Sequence, residues 1–477
     1  MASLNSYIEG AWVLPQTSTA TFEAINPATE EIAATVALCG VDDVDRAVRA
    51  ARSAFDGYAA LTLDARIALV ERLIAVFERR YDEMVRAIST EMGAPYDLSY
   101  NAQAESGPGH LRATVRAARE MEWERSVGTD GLVVHEPIGV CVLITPWNWP
   151  VNQLATKVGP ALVAGCTMVL KPSEIAPLSA QLFAEFIDEA GFPPGVFNMV
   201  YGTGAGIGDA LTSHPEVDMI SFTGSTRAGV QIAKSAADTV KRVSQELGGK
   251  SANIVFADCE LEAAVQRGVL HCFENAGQSC NAPTRMLVER SVYDQAVSIA
   301  ARVASTVKQG NPMDRGPHFG PVVTKAHFDK IQRLIQAGID EGAQLVAGGT
   351  GQSEGFERGY YVKPTVFAGV RNAMTIAQEE VFGPVLVMIP FGDEAEAIAI
   401  ANDTPYGLAA FVQSGDQERA RRVARKMRAG GVSINGASQD YMAPFGGYKQ
   451  SGNGREYGEY GLRDFLEVKV INGFDPA

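Results

Sequence analysis

From Gly139 onward, short continuous apolar runs alternate with helix-like stretches, and this pattern constrains the fold more than any other feature of the chain. Val140-Cys141-Val142-Leu143-Ile144 has no polar face, as expected of a strand buried on both sides. A helical stretch from about Val151 to Val163 separates it from a second run, Thr167-Met168-Val169-Leu170. Further strands are expected at Val196 to Tyr201 and Val217 to Phe222, so the region reads as βαβ units around a parallel sheet. Beyond Gly249 the alternation restarts, with strands at Ala252 to Phe256 and Arg285 to Val288 and helices at Leu261 to Asn275 and Val292 to Val307. This is a second α/β domain, which a length of 477 residues accommodates.

The N-terminal part is helical instead. Asp42 is read as the cap of a helix with apolar positions at Val44, Ala47, Val48, Ala51 and Phe55. Asp64 opens a second run through Ile67, Val70, Leu73, Ile74, Phe77 and Tyr81, with Gly93 as its stop. Leu466 to Ile471 is a strand-like tail.

Charge and cysteine usage exclude several function classes. A formal charge of −15 argues against nucleic acid or anionic lipid as partner. The first residues carry no secretory pattern, and apolar stretches are broken too soon to span a bilayer, so a cytoplasmic protein is expected. The six cysteines, Cys39, Cys141, Cys166, Cys259, Cys272 and Cys280, form no CxxC pair, and the six histidines form no cluster, so neither disulfides nor a metal is expected.

Five local signals carry chemistry. Cys280 follows Asn275-Ala276-Gly277-Gln278-Ser279, a small polar loop suited to presenting a thiolate, although a lone cysteine is usually structural. Glu246 begins Glu246-Leu247-Gly248-Gly249-Lys250-Ser251, where a carboxylate can act as general base and paired glycines allow close backbone approach; a solvated surface glutamate is the commoner reading. The Gly-Lys-Ser ending is not a P-loop, because position 244 is Ser244. Asn148 lies within Pro146-Trp147-Asn148-Trp149-Pro150, rigid enough to aim an amide at an oxyanion or simply to pack as a turn. Lys171-Pro172-Ser173-Glu174 ends a strand, where a nucleotide ribose or a plain ion pair can be met. Phe222-Thr223-Gly224-Ser225-Thr226 joins a strand to a helix and can cradle phosphate. Its glycines are spaced GxxxxG, and the series Gly202, Gly204, Gly206, Gly208 likewise lacks the GxGxxG spacing.

In this order, with EEVFGP at 379–384 and PFGGYKQSGNGRE at 444–456, the motifs resemble the aldehyde dehydrogenase superfamily over nearly the whole chain, in its NAD(P)-dependent, CoA-independent type. The resemblance implies an α/β fold in three parts. Residues 1–118 and 138–248 would form a Rossmann-type dinucleotide domain, 249–450 an α/β catalytic domain, and 119–137 with 451–477 a small β oligomerisation element of a homodimer or homotetramer.

It also implies roles. Cys280 resembles the nucleophile, Asn148 with the Cys280 N–H the oxyanion site, and Glu246 the base that activates water on the thioester. For the cofactor, Lys171, Ser173 and Glu174 would meet the adenosine ribose, and Gly224 and Ser225 the pyrophosphate. Glu380 and Phe382 would position the nicotinamide riboside, with Ile144, Thr145, Trp147, Gly204, Gly208, Phe222 and Leu247 completing the binding set. Glu174 favours NAD over NADP, since a carboxylate accepts from a 2′-hydroxyl and repels a 2′-phosphate; Lys171 and Arg227 leave NADP open. Glu246 favours hydrolysis over transfer to coenzyme A, the CoA-acylating semialdehyde dehydrogenases being the alternative, and the intact catalytic set argues against a non-catalytic relative. Trp149, Gln153, Thr156, Ser279, Asn281 and the loop Ala437 to Tyr441, ending before Phe445, are expected to line the aldehyde tunnel. That loop has no arginine for a substrate carboxylate.

Overall fold

The computed structural model describes residues 3–474. Its first large sheet runs Gly452–Asn453, Arg242–Glu246, Met219–Thr223, Val140–Ile144, Thr167–Lys171, Phe197–Met199, Ser6–Ile8, Ala11–Val13. The five strands from Arg242–Glu246 to Phe197–Met199 are parallel, and the outer ones pair antiparallel. The chain enters the parallel part at Val140–Ile144, winds one way to Phe197–Met199, then crosses back to Met219–Thr223 on the other side. That reversal opens a crevice between Val140–Ile144 and Met219–Thr223 at their carboxyl ends.

Alternating side chains explain why these strands are apolar throughout. Cys141, Leu143, Met168 and Leu170 pack with the helices of one layer, while Val140, Val142, Ile144 and Val169 pack with those of the other. The first helix covers this second core but starts at Val41, capped by Gly40, and it is Asp43, not Asp42, whose carboxylate takes the Gly40 N–H at 3.0 Å. Thr62 caps Leu63–Arg79 through its hydroxyl, and the run read as one helix breaks at Arg80 into a second, Tyr81–Met92, ended by Gly93 at φ 77°.

The second sheet runs Gln344–Ala347, Thr365–Ala368, Val385–Phe391, Arg285–Glu289, Ala252–Val255, Ala409–Gln413, Gly431–Ile434, parallel except at Gln344–Ala347. Arg285 is fully buried and binds the carbonyls of Lys250, Ile400 and Ala401, a packing role.

A third, small sheet pairs the hairpin Glu124–Val127 and Gly131–Pro137 with the tail strand Leu466–Asn472. Among the described residues of 451–477, that strand carries the pairing with the hairpin, and the Phe474 N–H donates to the Asp130 carbonyl at 2.8 Å. Gly452–Asn453 instead extends the first sheet, and the helix Gly458–Asp464 packs on the helices Ser106–Glu120 and Pro150–Ala164, because its Leu462 and the adjacent Phe465 belong to the first core. No helix among the described residues is long and apolar enough to cross a membrane.

Candidate active site

Strand Arg242–Glu246 is the last parallel strand of the first sheet and, after residues 247–251, Ala252–Val255 begins the second. The carboxyl edge of one sheet therefore faces the amino edge of the other. The paired glycines make this contact possible. A Cβ on Gly248 would lie 2.5 Å from the Glu380 carboxylate, and one on Gly249 would lie 2.4 Å from the Cys280 carbonyl oxygen. The Gly249 N–H donates to Glu380 Oε1 at 2.9 Å.

Cys280 stands on a strained loop ahead of Arg285–Glu289. Asn275, Ala276 and Gly277 are all left-handed, at φ 55°, 54° and 74°, and non-glycine residues hold that region only where surroundings enforce it. The enforcement is visible. Asn275 Nδ2 donates to the Asn148 carbonyl (2.9 Å) and the Gln278 carbonyl (3.2 Å), while its Oδ1 accepts from Gln103 (3.0 Å). The Gln278 side chain donates to the Asn275 carbonyl (3.0 Å) and accepts the Val323 N–H (2.9 Å).

The Pro146–Pro150 turn docks on the same loop. Asn148 is buried and donates from Nδ2 to the Gln278 carbonyl at 3.0 Å, which uses one of its two amide protons, and Trp149 Nε1 donates to Ser279 Oγ at 2.8 Å. The Cys280 thiol is partly open to the cavity. Burial raises its pKa well above the usual thiol range, and the carboxylates of Glu380, Glu246 and Glu456 push it further.

Glu246 is buried, and neither carboxylate oxygen has a hydrogen-bond partner. Burial and then the neighbouring Glu456 hold its pKa well above the carboxylate range, against the opposing pull of Lys157 and Arg455. Glu456 itself forms a buried ion pair with Lys157. On the other side, a Cβ at Gly446 would lie 2.7 Å from Glu246 Oε1.

Trp147, Asn148, Gly224, Ser225, Leu247, Cys280, Glu380 and Phe382 line one cavity of about 200 Å³. Residues 144, 145, 171, 173, 174 and 222 do not line this cavity but share the sheet edge above it. Phe222 is in register with Ile144, and Ile144 with Lys171. The Thr145 N–H donates to the Lys171 carbonyl (3.2 Å). Buried Lys171 places Nζ 3.3 Å from Glu174 Oε2, and Ser173 Oγ accepts the Ile175 N–H. Gly224 and Ser225 open the helix Thr226–Ala236, which Ser225 caps by accepting the Ala228 N–H. Gly204 and Gly208 are outside this cavity: they lie in the helix Gly204–Thr212, capped by Thr203, with nothing within 4 Å of either Cβ position.

His327 and Lys330 also line the cavity, and no sequence motif marks them. Both sit on the helix Lys325–Asp340, where one histidine and one lysine in an ordinary amphipathic pattern give no signal. His327 packs edge-on to Trp147 (5.5 Å) and Phe382 (5.9 Å), and burial lowers it to about 4, so the ring is neutral and its Nε2–H donates to the Phe382 carbonyl at 2.7 Å. Lys330 donates to the Glu380 carbonyl at 2.9 Å. Together they fix Phe382, itself left-handed at φ 60°.

Asn281, the residue after Cys280, lines a second cavity of about 540 Å³ with Phe445, Gly446 and the loop from Ala437 to Asp440. Gln153 and Thr156, by contrast, are buried in the helix Pro150–Ala164.

Comparison with known proteins agrees with this architecture. The model of the aldehyde dehydrogenase family matches residues 12–471. A 3-succinoylsemialdehyde-pyridine dehydrogenase of a Pseudomonas species is 53% identical over 98% of this chain and 98% of its own. Aldehyde dehydrogenase C of Pseudomonas syringae, solved as a mutant with NAD+ and octanal, is 49% identical with a TM-score of 0.98, covering 100% of this chain and 98% of its own. Betaine aldehyde dehydrogenase of Staphylococcus aureus, solved with NAD+, is 36% identical with a TM-score of 0.96, covering 100% and 95%. The chain belongs to the aldehyde dehydrogenase family.

Proposed function

We propose that this chain oxidises an aldehyde to a carboxylic acid with NAD+, through an acyl thioester on Cys280 that water releases. The observation that carries the reading is convergence: the Cys280 thiol, the Asn148 amide and the unpartnered Glu246 carboxyl come from three separated segments to one sheet-to-sheet junction.

Each group has a task in that chemistry. Cys280 Sγ attacks the carbonyl carbon, and its proton passes to Glu246, whose buried carboxylate is a strong base once ionised. The second Asn148 amide proton and the Cys280 N–H stabilise the oxyanion of the thiohemiacetal. NAD+ supplies the hydride acceptor when bound. Glu246 releases the thiol proton to solvent and then takes one from water as the water attacks the thioester; the C–S bond breaks, the acid leaves, and Glu246 returns that proton to Cys280 Sγ.

The residues present suit that dinucleotide. Thr223 Oγ1 and both Glu246 oxygens are buried polar atoms without partners, and the helix start at Ser225 offers backbone N–H groups to a pyrophosphate. Glu174, beside Lys171, would accept from a ribose 2′-hydroxyl, and the related Pseudomonas syringae and Staphylococcus aureus enzymes hold NAD+. Gly204 and Gly208 have no such argument behind them. The CoA-acylating alternative finds no support, and Glu246 favours water as acyl acceptor.

Six free cysteines fit a reducing cytoplasm. The open edge of Leu466–Asn472 exposes Val468 at 66% and Val470 at 55%, a strand suited to pairing between subunits of a dimer or tetramer.

Cys280→Ala is expected to abolish NADH formation with every aldehyde in a panel, whereas surviving turnover would remove Cys280 from the mechanism. Wild-type rates with NAD+ should exceed those with NADP+, and the reverse order would overturn the reading of Glu174.

A further inference from the structure

Behind Asn148 and Cys280, four side-chain amides hold one another in fixed directions. Asn148 donates from Nδ2 to the Gln278 carbonyl at 3.0 Å. Asn275 gives its two amide protons to the Asn148 carbonyl (2.9 Å) and the Gln278 carbonyl (3.2 Å). It can serve both carbonyls only with Nδ2 toward them, which aims Oδ1 the other way. Among the described residues, the donor that Oδ1 meets is Gln103 Nε2, at 3.0 Å. A flipped Asn275 would set its oxygen against two carbonyl oxygens and its NH2 against that of Gln103. The fourth residue, Gln103, thus decides which way the third one faces.

The chain goes to some length to place that donor. Gln103 ends a π-helical turn, Ser99–Gln103, in which the Ala104 N–H reaches five residues back to the Ser99 carbonyl at 2.8 Å. Such widened turns are rare and recur at functional sites. The Ser99 hydroxyl anchors the turn to the Ala94 carbonyl (3.2 Å) and to Ser89 Oγ (3.0 Å), and Ser106 Oγ donates to the Gln103 carbonyl at 2.6 Å. Gln103 itself is fully buried and lines neither cavity. Beyond Asn275, its Nε2 meets only the Met92 sulfur at 3.5 Å, and its Oε1 has no partner. A half-satisfied amide in the interior is unfavourable for folding, and an unbranched apolar side chain would fill the space without that penalty. What glutamine adds there is the proton on Asn275 Oδ1.

The consequence falls on Asn148. Its main chain is held by Asn275, and its side chain is held by the Gln278 carbonyl that Asn275 also holds. Asn275 therefore fixes both ends of the residue whose second amide proton is aimed at the oxyanion. A donor of this kind acts only when it is directed at the place where charge develops, and small misplacements are expensive in rate. The geometry points to Gln103 as a positioning residue for the oxyanion-stabilising amide of Asn148, acting through Asn275. This inference rests on the oxidation reading above.

The test is a double-mutant cycle with propanal and NAD+, using the wild type, Gln103→Met, Asn148→Ala and the double variant. Gln103→Met keeps length and bulk but removes the donor. It should lower kcat about 10- to 100-fold, with the KM for propanal and the Kd for NAD+, read by fluorescence titration, within about threefold of wild type. In the Asn148→Ala background the same change should cost less than about threefold, because the amide it positions is gone. Equal fold losses in the two backgrounds would overturn the inference, as would wild-type kcat in Gln103→Met. Gln103→Glu keeps the test open should the methionine variant fail to fold. Burial holds the new carboxyl protonated on the acid side, with an O–H to donate, so kcat relative to wild type should be nearly retained there and fall as rising pH removes that proton. A ratio that does not change with pH would overturn the inference while leaving the oxidation reading intact. Absence of NADH from the wild type with every aldehyde would overturn that reading and this inference with it.

Discussion

The first sheet supplies the cavity from the carboxyl ends of its strands: Leu247 and Gly248 come just after Arg242–Glu246, Gly224 and Ser225 just after Met219–Thr223, and Trp147 and Asn148 just after Val140–Ile144, while Glu246 itself is buried beside the cavity without lining it. The second sheet supplies it from the amino ends, with Cys280 ahead of Arg285–Glu289 and Glu380 and Phe382 ahead of Val385–Phe391. This opposition arises from the path through residues 247–251, where one strand leaves the first sheet and the next enters the second in the same sense. The rule that open parallel sheets bind ligands at their carboxyl ends therefore describes one half of the site. The second sheet closes its carboxyl edge on itself: Asp258 accepts from Ser414 Oγ and the Asp416 N–H, each at 3.0 Å, and Glu289 accepts the Ala257 N–H at 2.9 Å.

If the junction is where the two sheets cooperate, its carboxylate should show the largest effect. Glu246→Gln is expected to lower kcat by about 10² to 10⁴, the usual worth of a general base, and to let an acyl-enzyme accumulate that mass spectrometry can detect. In the wild type the base form of Glu246 grows as pH rises through its raised pKa, so kcat should climb with pH from the acid side, and the variant should lose that limb. Stability carries the opposite sign. A carboxyl whose pKa is raised by folding stabilises the protein at low pH and loses that contribution as pH rises through the folded value, so the variant's Tm relative to wild type should increase with pH. A flat wild-type kcat profile with unchanged turnover in the variant would separate Glu246 from the chemistry.

Contact between the halves gives the next effect. Gly249→Ala puts a methyl group 2.4 Å from the Cys280 carbonyl, and backbone cannot yield as a flexible side chain can. If Cys280 is the nucleophile, displacing it by about 1 Å should cost roughly 100-fold in kcat. Overpacking of this kind should also destabilise the fold by about 1–3 kcal/mol. NAD+ affinity measured by fluorescence titration should change far less, because Gly224 and Ser225 stay in place. A larger loss of NAD+ binding than of kcat would mean that the glycine serves the dinucleotide side.

Most of the first half was legible in the sequence because a strand buried on both faces has to be apolar throughout, as Val140–Ile144 is, and because Gly248 and Gly249 mark an approach that no side chain permits. Helix starts were less so. Asp42 and Asp43 are both good capping residues, and only the position of the Gly40 N–H decides between them. The break at Arg80 leaves the apolar period of the N-terminal helices undisturbed, so periodicity cannot see it. His327 and Lys330 reach the cavity from a helix whose pattern is that of any surface helix, and their importance comes from where the helix sits. The tail divides for a similar reason: Gly452–Asn453 has no strand propensity of its own and is recruited by the edge of Arg242–Glu246. Gly204 and Gly208 entered the binding set through the resemblance alone, since their spacing gives no signal, and they stand on a helix with open space beside them.

The smallest expected effect is also the control for the comparison. Asp258→Ala removes the acceptor for Ser414 Oγ and the Asp416 N–H at the second sheet's carboxyl edge. Losing those hydrogen bonds should cost about 1–2 kcal/mol, seen as a lower Tm. Because that edge points away from Cys280, kcat and the KM for both substrates should stay within about twofold of wild type. A drop in kcat comparable to that of Gly249→Ala would mean that the two edges of the second sheet are mechanically coupled, and that its carboxyl end contributes to the site through the strands themselves.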